Sequence, residues 1–195
     1  MPDAGAERFF TSGDGLQLFY RDFAPLTRTS KLPVLCLPGL TRNSRDFTHV
    51  AERIRQDRRV LCADLRGRGR SQHDPVWQNY HPGTYLADLG LLLQDAGVTR
   101  CVLLGTSLGG ILSMLIAAST PRVVAAVVLN DVGPEVAPEG LQRIASYVGR
   151  FREMADKLGS HDAALDAIGN ATGVEAQFTS VEVMARQIGW LLSDE

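Results

Sequence analysis

No apolar run in this 195-residue chain is long enough to cross a bilayer, because glycine or a polar side chain interrupts each one after a few residues. The opening Met1-Pro2-Asp3-Ala4-Gly5 lacks both the basic start and the apolar stretch of a secretory signal. An excess of either charge is also missing. Twenty Lys and Arg stand against 22 Asp and Glu, a formal net charge of −2. That balance removes the electrostatic ground for a nucleic-acid or anionic-membrane partner, and the cluster Arg66, Arg68, Arg70 is too short to restore it. Cysteine is sparse and odd in number: Cys36, Cys62 and Cys101. Each lies in or beside a strand-like apolar run, which reads as a buried, reduced thiol. No Cys-x-x-Cys or His-x-x-x-His spacing suggests a metal site. Repeats and low-complexity tracts are lacking too. The expectation is a cytoplasmic protein with no metal and no cofactor.

What is present is ordinary globular material, 45% hydrophobic and 22% charged, enough for one sizeable core. Residues 8–11 and 16–23 read as strands joined by the turn signal Ser12-Gly13-Asp14-Gly15, hence a hairpin. Alternation in the second piece suggests a half-exposed antiparallel strand at a sheet edge. From residue 34 the pattern changes. Buried-strand runs at Val34–Leu37, Val60–Ala63, 102–104 and 123–129 alternate with helical stretches. The first stretch places Phe47, Val50, Ala51 and Ile54 at helical spacing, with Asn43 or Ser44 as cap. The second has Thr84 as its expected cap and Gly97 just past its end, and the third runs over Leu108–Ser119 and stops before Pro121. Continuous β-branched and leucine runs imply a mostly parallel sheet with helices on both faces. Sites in such sheets lie at the carboxyl ends of the strands. After Pro138 only helical patterns follow, including an apolar stripe of Leu141, Ile144, Val148, Phe151, Met154 and Leu158. The expected division is a core over 1–133 carrying six strands, and a helical cap over 134–195.

Gly105-Thr106-Ser107-Leu108-Gly109 is the strongest chemical signal in the chain. It follows a buried strand and opens a helix. A sharp turn there strains the serine backbone and crowds the positions two residues before and after it, so both must be glycine. The hydroxyl then projects above the sheet beside the unpaired N–H groups of a helix N-terminus. A dinucleotide fingerprint would need glycine where Ser107 stands. Asp131 does end the next strand as a ribose-binding acid would, so a Rossmann-type dinucleotide-binding domain is the remote alternative.

Three motifs together resemble the α/β-hydrolase superfamily. Leu37-Pro38-Gly39-Leu40 is similar to the family's His-Gly-x loop, with proline in the place of histidine. Asp64-Leu65-Arg66-Gly67-Arg68-Gly69-Arg70-Ser71 matches Asp-x-Arg-Gly-x-Gly-x-Ser, and Gly105–Gly109 matches the nucleophile elbow. The resemblance implies an α/β-hydrolase fold with Ser107 as nucleophile and the backbone N–H groups of Leu40 and Leu108 as oxyanion hole. Asp64, Arg66, Gly67 and Gly69 are expected to be structural, a turn tied down by an aspartate–arginine interaction. The family order is nucleophile, acid, then histidine. Asp131 is a candidate acid, and relatives also keep the acid after a seventh strand. His49, His73 and His81 precede Ser107, and His161 falls in the expected cap. The implied histidine loop and last strands are therefore expected outside these residues, which would read as part of a longer enzyme completed by a C-terminal segment.

The function implied is a serine hydrolase of small-molecule carboxylic esters or lactones, working through an acyl-enzyme intermediate. Serine at position 107 argues against relatives that use an aspartate nucleophile, such as epoxide hydrolases. The apolar cap residues favour a substrate with a hydrophobic group. The alternative is a catalytically inactive small-molecule-binding relative on the same scaffold.

Overall fold

A computed structural model describes residues 5–133 of the chain. The expected cap over 134–195 and His161 lie outside the described residues. The hairpin forms as its turn signal dictates, with β1 (Ala6–Thr11) antiparallel to β2 (Gln17–Phe23). The apolar runs become β3 (Val34–Leu37), β4 (Val60–Ala63), β5 (Cys101–Thr106) and β6 (Val124–Asn130). Among the described residues these six strands make one sheet in the order β1-β2-β4-β3-β5-β6. From β4 to β6 every pairing is parallel.

The edge assignment for the second strand is corrected. β1 is the edge, and β2 lies inside the sheet because β4 pairs with its other side. Leu18, Phe19, Tyr20 and Arg21 are consequently all buried. A pattern that looks half polar misleads here, because Arg21 lies buried with its guanidinium over the Phe23 ring.

Side chains alternate across the sheet with period two. Leu35, Leu37, Leu61 and Leu103 face one side, where α2 (Pro82–Asp95) and α3 (Leu108–Ser119) bring Leu89, Leu92, Leu112 and Ile116. Val34, Cys36, Val60 and Cys62 face the other, covered by Phe47 and by Ala51 of α1 (Thr48–Ile54). Burying each of these leucines contributes about 1.5–3 kcal/mol. All three cysteines are buried free thiols.

Local chemistry sets the helix starts. Asn43 caps a short 3-10 turn, accepting from the Arg45 N–H, and α1 follows it. Val50, expected on the apolar face, is exposed. Helix α2 begins at Pro82, earlier than expected, and its cap is His81, whose Nδ1 accepts from the Gly83 N–H at 3.0 Å. Thr84 is thus inside the first turn. Proline at the first helical position, where no N–H is needed, explains the earlier start. Gly97 ends the helix region at φ +65°. No described helix is long and apolar enough to cross a membrane.

Candidate active site

At the carboxyl ends of β3, β5 and β6 three chain segments converge. Ser107 sits between β5 and α3 at φ 51° and ψ −115°. This is a region that a residue with a side chain rarely adopts, so the turn is strained. The flanking glycines show what permits it. A methyl group at Gly105 would lie 2.3 Å from the Gly109 carbonyl oxygen, and one at Gly109 would lie 2.0 Å from that of Leu37. The strand-to-helix turn is therefore packed directly against β3, with no room for a side chain at either position.

Hydrogen bonds hold the serine backbone on both sides. The Ser107 N–H donates to the Asn130 carbonyl at 3.0 Å, tying the elbow to the end of β6. The Ser107 carbonyl accepts from Gly110 at 2.8 Å and Ile111 at 3.1 Å. Leu108 is the first residue of α3, so its N–H is among the donors a helix leaves without an intrahelical acceptor. The loop after β3 closes the other side. A methyl group on Gly39 would lie 3.7 Å from the Ser107 Cβ. Arg42 donates its N–H to the Gly39 carbonyl at 3.1 Å, which makes the Gly39–Arg42 segment a turn. Leu40 is half-buried within that turn.

The segment leaving β6 also reaches the elbow. A methyl group on Gly110 would lie 2.3 Å from Val132 Cγ1, so Val132 packs on the first turn of α3. Asp131 precedes it, exposed and at φ 59°. The three described histidines have other settings. His49 is exposed on α1, His73 is exposed in the loop after β4, and His81 caps α2.

The loop after β4 is structural, as expected, but by other contacts. Asp64 does not pair with Arg66. Its carboxylate accepts from the backbone N–H of Ser44 at 2.7 Å and of Arg70 at 2.8 Å. Burial raises the Asp64 carboxyl above its usual value, and those two N–H bonds work against the rise. A methyl group on Gly69 would lie 2.1 Å from an Asp64 carboxylate oxygen, and Gly69 has φ +53°. Glycine there lets the loop wrap around the buried carboxylate. Arg66, 1% exposed, instead binds Asp88 through two hydrogen bonds of 3.0 and 2.9 Å and also pairs with Asp74 and Asp14. It thereby joins the loop after β4 to α2 and to the β1–β2 turn.

Arg68 carries more than its place in the motif suggested. It is buried, and its Nε donates to the Leu40 carbonyl at 2.8 Å. Its Nη1 donates to the Arg66 carbonyl at 2.8 Å and to the Tyr85 hydroxyl at 3.2 Å. The guanidinium carbon lies 5.7 Å from the Tyr80 ring centre and 5.9 Å from that of Tyr85. The sequence marked Arg68 only as one arginine of a basic cluster, between Gly67 and Gly69.

A strained serine at a strand-to-helix turn of a mostly parallel sheet defines an α/β-hydrolase scaffold. The family profile described as the alpha/beta hydrolase fold matches residues 33–167, and the chain belongs to that family. Membership removes the dinucleotide-binding alternative, in keeping with a turn whose middle position is Ser107 rather than glycine. The chain is 38% identical over 128 residues to a 3-hydroxybutyrate-oligomer hydrolase of Cupriavidus necator, covering 64% of this chain and 44% of that protein. It is 35% identical over 106 residues to the sn-1-specific diacylglycerol lipase ABHD11 of Danio rerio, covering 53% and 32%. A crystal structure of an alpha/beta hydrolase from Novosphingobium aromaticivorans shares 50% identity and a TM-score of 0.71, over 80% of this chain and 56% of that one. The chain spans less than half the length of the curated relatives it matches.

Proposed function

We propose that this chain carries the nucleophile and oxyanion hole of a serine hydrolase that cleaves small-molecule carboxylic esters or lactones. The observation that carries the reading is Ser107 at φ 51°, between Gly105 and Gly109 just ahead of α3 and facing the Gly39–Leu40 turn. In the proposed reaction the Ser107 hydroxyl attacks the acyl carbon and its proton passes to a histidine. The carbonyl oxygen gains charge, which the N–H groups of Leu108 and Leu40 stabilise. Collapse expels the alcohol and leaves an acyl-serine, which water then hydrolyses. A donor of this kind contributes about 10²–10³ in turnover. The proposed base lies outside the described residues, and Asp131 is one candidate for the acid that orients it.

The substrate class rests on two supports. The relatives bear names of hydrolases acting on 3-hydroxybutyrate oligomers and on diacylglycerol, both carboxylic esters. The sequence over 134–195 offers leucine, isoleucine, valine, methionine and phenylalanine to a substrate, which favours an apolar acyl or alcohol group. A mouse relative is named epoxide hydrolase 4. Serine in the nucleophile position favours acyl transfer over epoxide opening here.

The test is covalent. A fluorophosphonate should label Ser107 in the full chain, and Ser107→Ala should lose both labelling and turnover of short p-nitrophenyl esters. A parent protein that is folded yet neither labelled nor active would instead support the inactive binding relative.

A further inference from the structure

The direction of a backbone N–H is set by the plane of its peptide, and that plane is set by the dihedral angles on either side. Both peptides that meet at Leu40 are held. The Gly39 carbonyl, in the same peptide as the Leu40 N–H, accepts from the Arg42 N–H at 3.1 Å. The Leu40 carbonyl, in the next peptide, accepts from Arg68 Nε at 2.8 Å. The first bond is local to the turn and moves with it. The second comes from a side chain 28 residues away, anchored in the core by the Arg66 carbonyl, the Tyr85 hydroxyl and two aromatic rings.

We propose that Arg68 is a positioning residue of this site: by holding the Leu40 carbonyl it fixes the turn after β3 so that the Leu40 N–H faces the oxygen of an acyl group bound at Ser107. The inference rests on the serine-hydrolase reading above. Arg68 does not touch the reacting atoms. Its contribution is to make a donor on a turn as rigid as the core on which it rests. Burial of the Arg68 side chain suits this role, since its guanidinium has little access to water as an alternative partner. Arginine also fits better than lysine, because its planar fork reaches several acceptors at fixed angles.

A donor displaced by about 1 Å costs on the order of 10² in rate, and the loss falls on the charged transition state rather than on substrate binding. Arg68→Met removes every donor while keeping an apolar stem between the tyrosines. The measurement is kcat and KM on a p-nitrophenyl ester, with kcat divided by the concentration of Ser107 titrated with a fluorophosphonate. Normalising to titrated sites removes the effect of a partly unfolded sample, which a purely structural role would produce. Expected is a roughly 10–100-fold fall in kcat per titrated site with KM within about twofold. Affinity for a phenylboronic acid, which forms a tetrahedral adduct on serine, should fall in parallel. Arg68→Lys keeps the charge but gathers its donors on a single nitrogen, and is the variant to read if the methionine form does not fold. It should recover part of the loss and remain about 3–10-fold below the parent, because one ammonium cannot hold the Leu40 and Arg66 carbonyls in the same plane. Parental kcat per titrated site in a folded Arg68 variant overturns the proposal while leaving the serine-hydrolase reading intact. A folded parent that is neither labelled nor active overturns that reading and this inference with it.

Discussion

At the residue scale, closeness of approach separates one glycine from another. A methyl group on Gly109 would lie 2.0 Å from the Leu37 carbonyl oxygen, whereas one on Gly90 of α2 meets nothing within 4 Å. Gly109→Ala should therefore push α3 off β3, costing about 1–3 kcal/mol or more and most of the turnover. Gly90→Ala should stabilise by about 0.4–1 kcal/mol, since alanine loses less entropy in a helix. Urea denaturation of both variants checks the pair. Asp14 makes a pH argument at the same scale. Its hydrogen bond to Arg66 lowers its carboxyl from 3.8 to about 2. A carboxyl depressed on folding adds stability that is fully present above its unfolded value. That stability fades as pH falls towards the folded one. Asp14→Asn should flatten the loss of stability between about pH 4 and pH 2, followed by circular dichroism. Asp88 acts in the opposite sense. Burial raises its carboxyl, so its share of stability grows as pH falls through the raised value.

At the scale of elements, Arg66 is the joint between the hairpin turn, the loop after β4 and α2. Replacing it with methionine leaves Asp74 and Asp88 buried without their cation. The cost should be about 3–5 kcal/mol near neutral pH and should shrink in acid, where Asp88, whose carboxyl burial already raises, takes up a proton. Denaturant midpoints at neutral and acidic pH check this. The cap of α2 is a lesser joint, and His81→Ala should cost about 0.5–2 kcal/mol. These elements also show what the sequence made legible. β3, β4, β5 and α3 follow from short apolar runs closed by glycine or proline, and the elbow follows from glycines that only close packing requires. The Arg66 cluster could not be read that way. Its aspartates lie 52, 8 and 22 residues away along the chain, a set of distances that no periodicity encodes. The pairing of β2 with β4 escaped for the same reason, because strand order is fixed by the assembled sheet. Arg68 was visible only as part of a basic cluster, since a hydrogen bond to a backbone carbonyl leaves no mark on residue type.

At the scale of the whole molecule, β6 closes one side of the described sheet, with Val128 51% and Leu129 36% exposed. An uncovered apolar strand edge invites pairing with another chain. A fragment ending at Gly133 should self-associate, and Val128→Lys in that fragment should raise its solubility. Light scattering of both fragments checks this. The strand order has a further consequence, for the order in which the protein comes into being. β2 waits for β4, some 40 residues later, before its second side is paired, and Val34 of β3 waits for Val102 of β5. A chain emerging from the ribosome must therefore present about 105 residues before its central strand has both neighbours, so the N-terminal half exists for seconds with its stickiest strands unpaired. The same strand order that sets β3 beside β5 beneath Ser107 leaves the nascent chain open to aggregation until β5 has emerged.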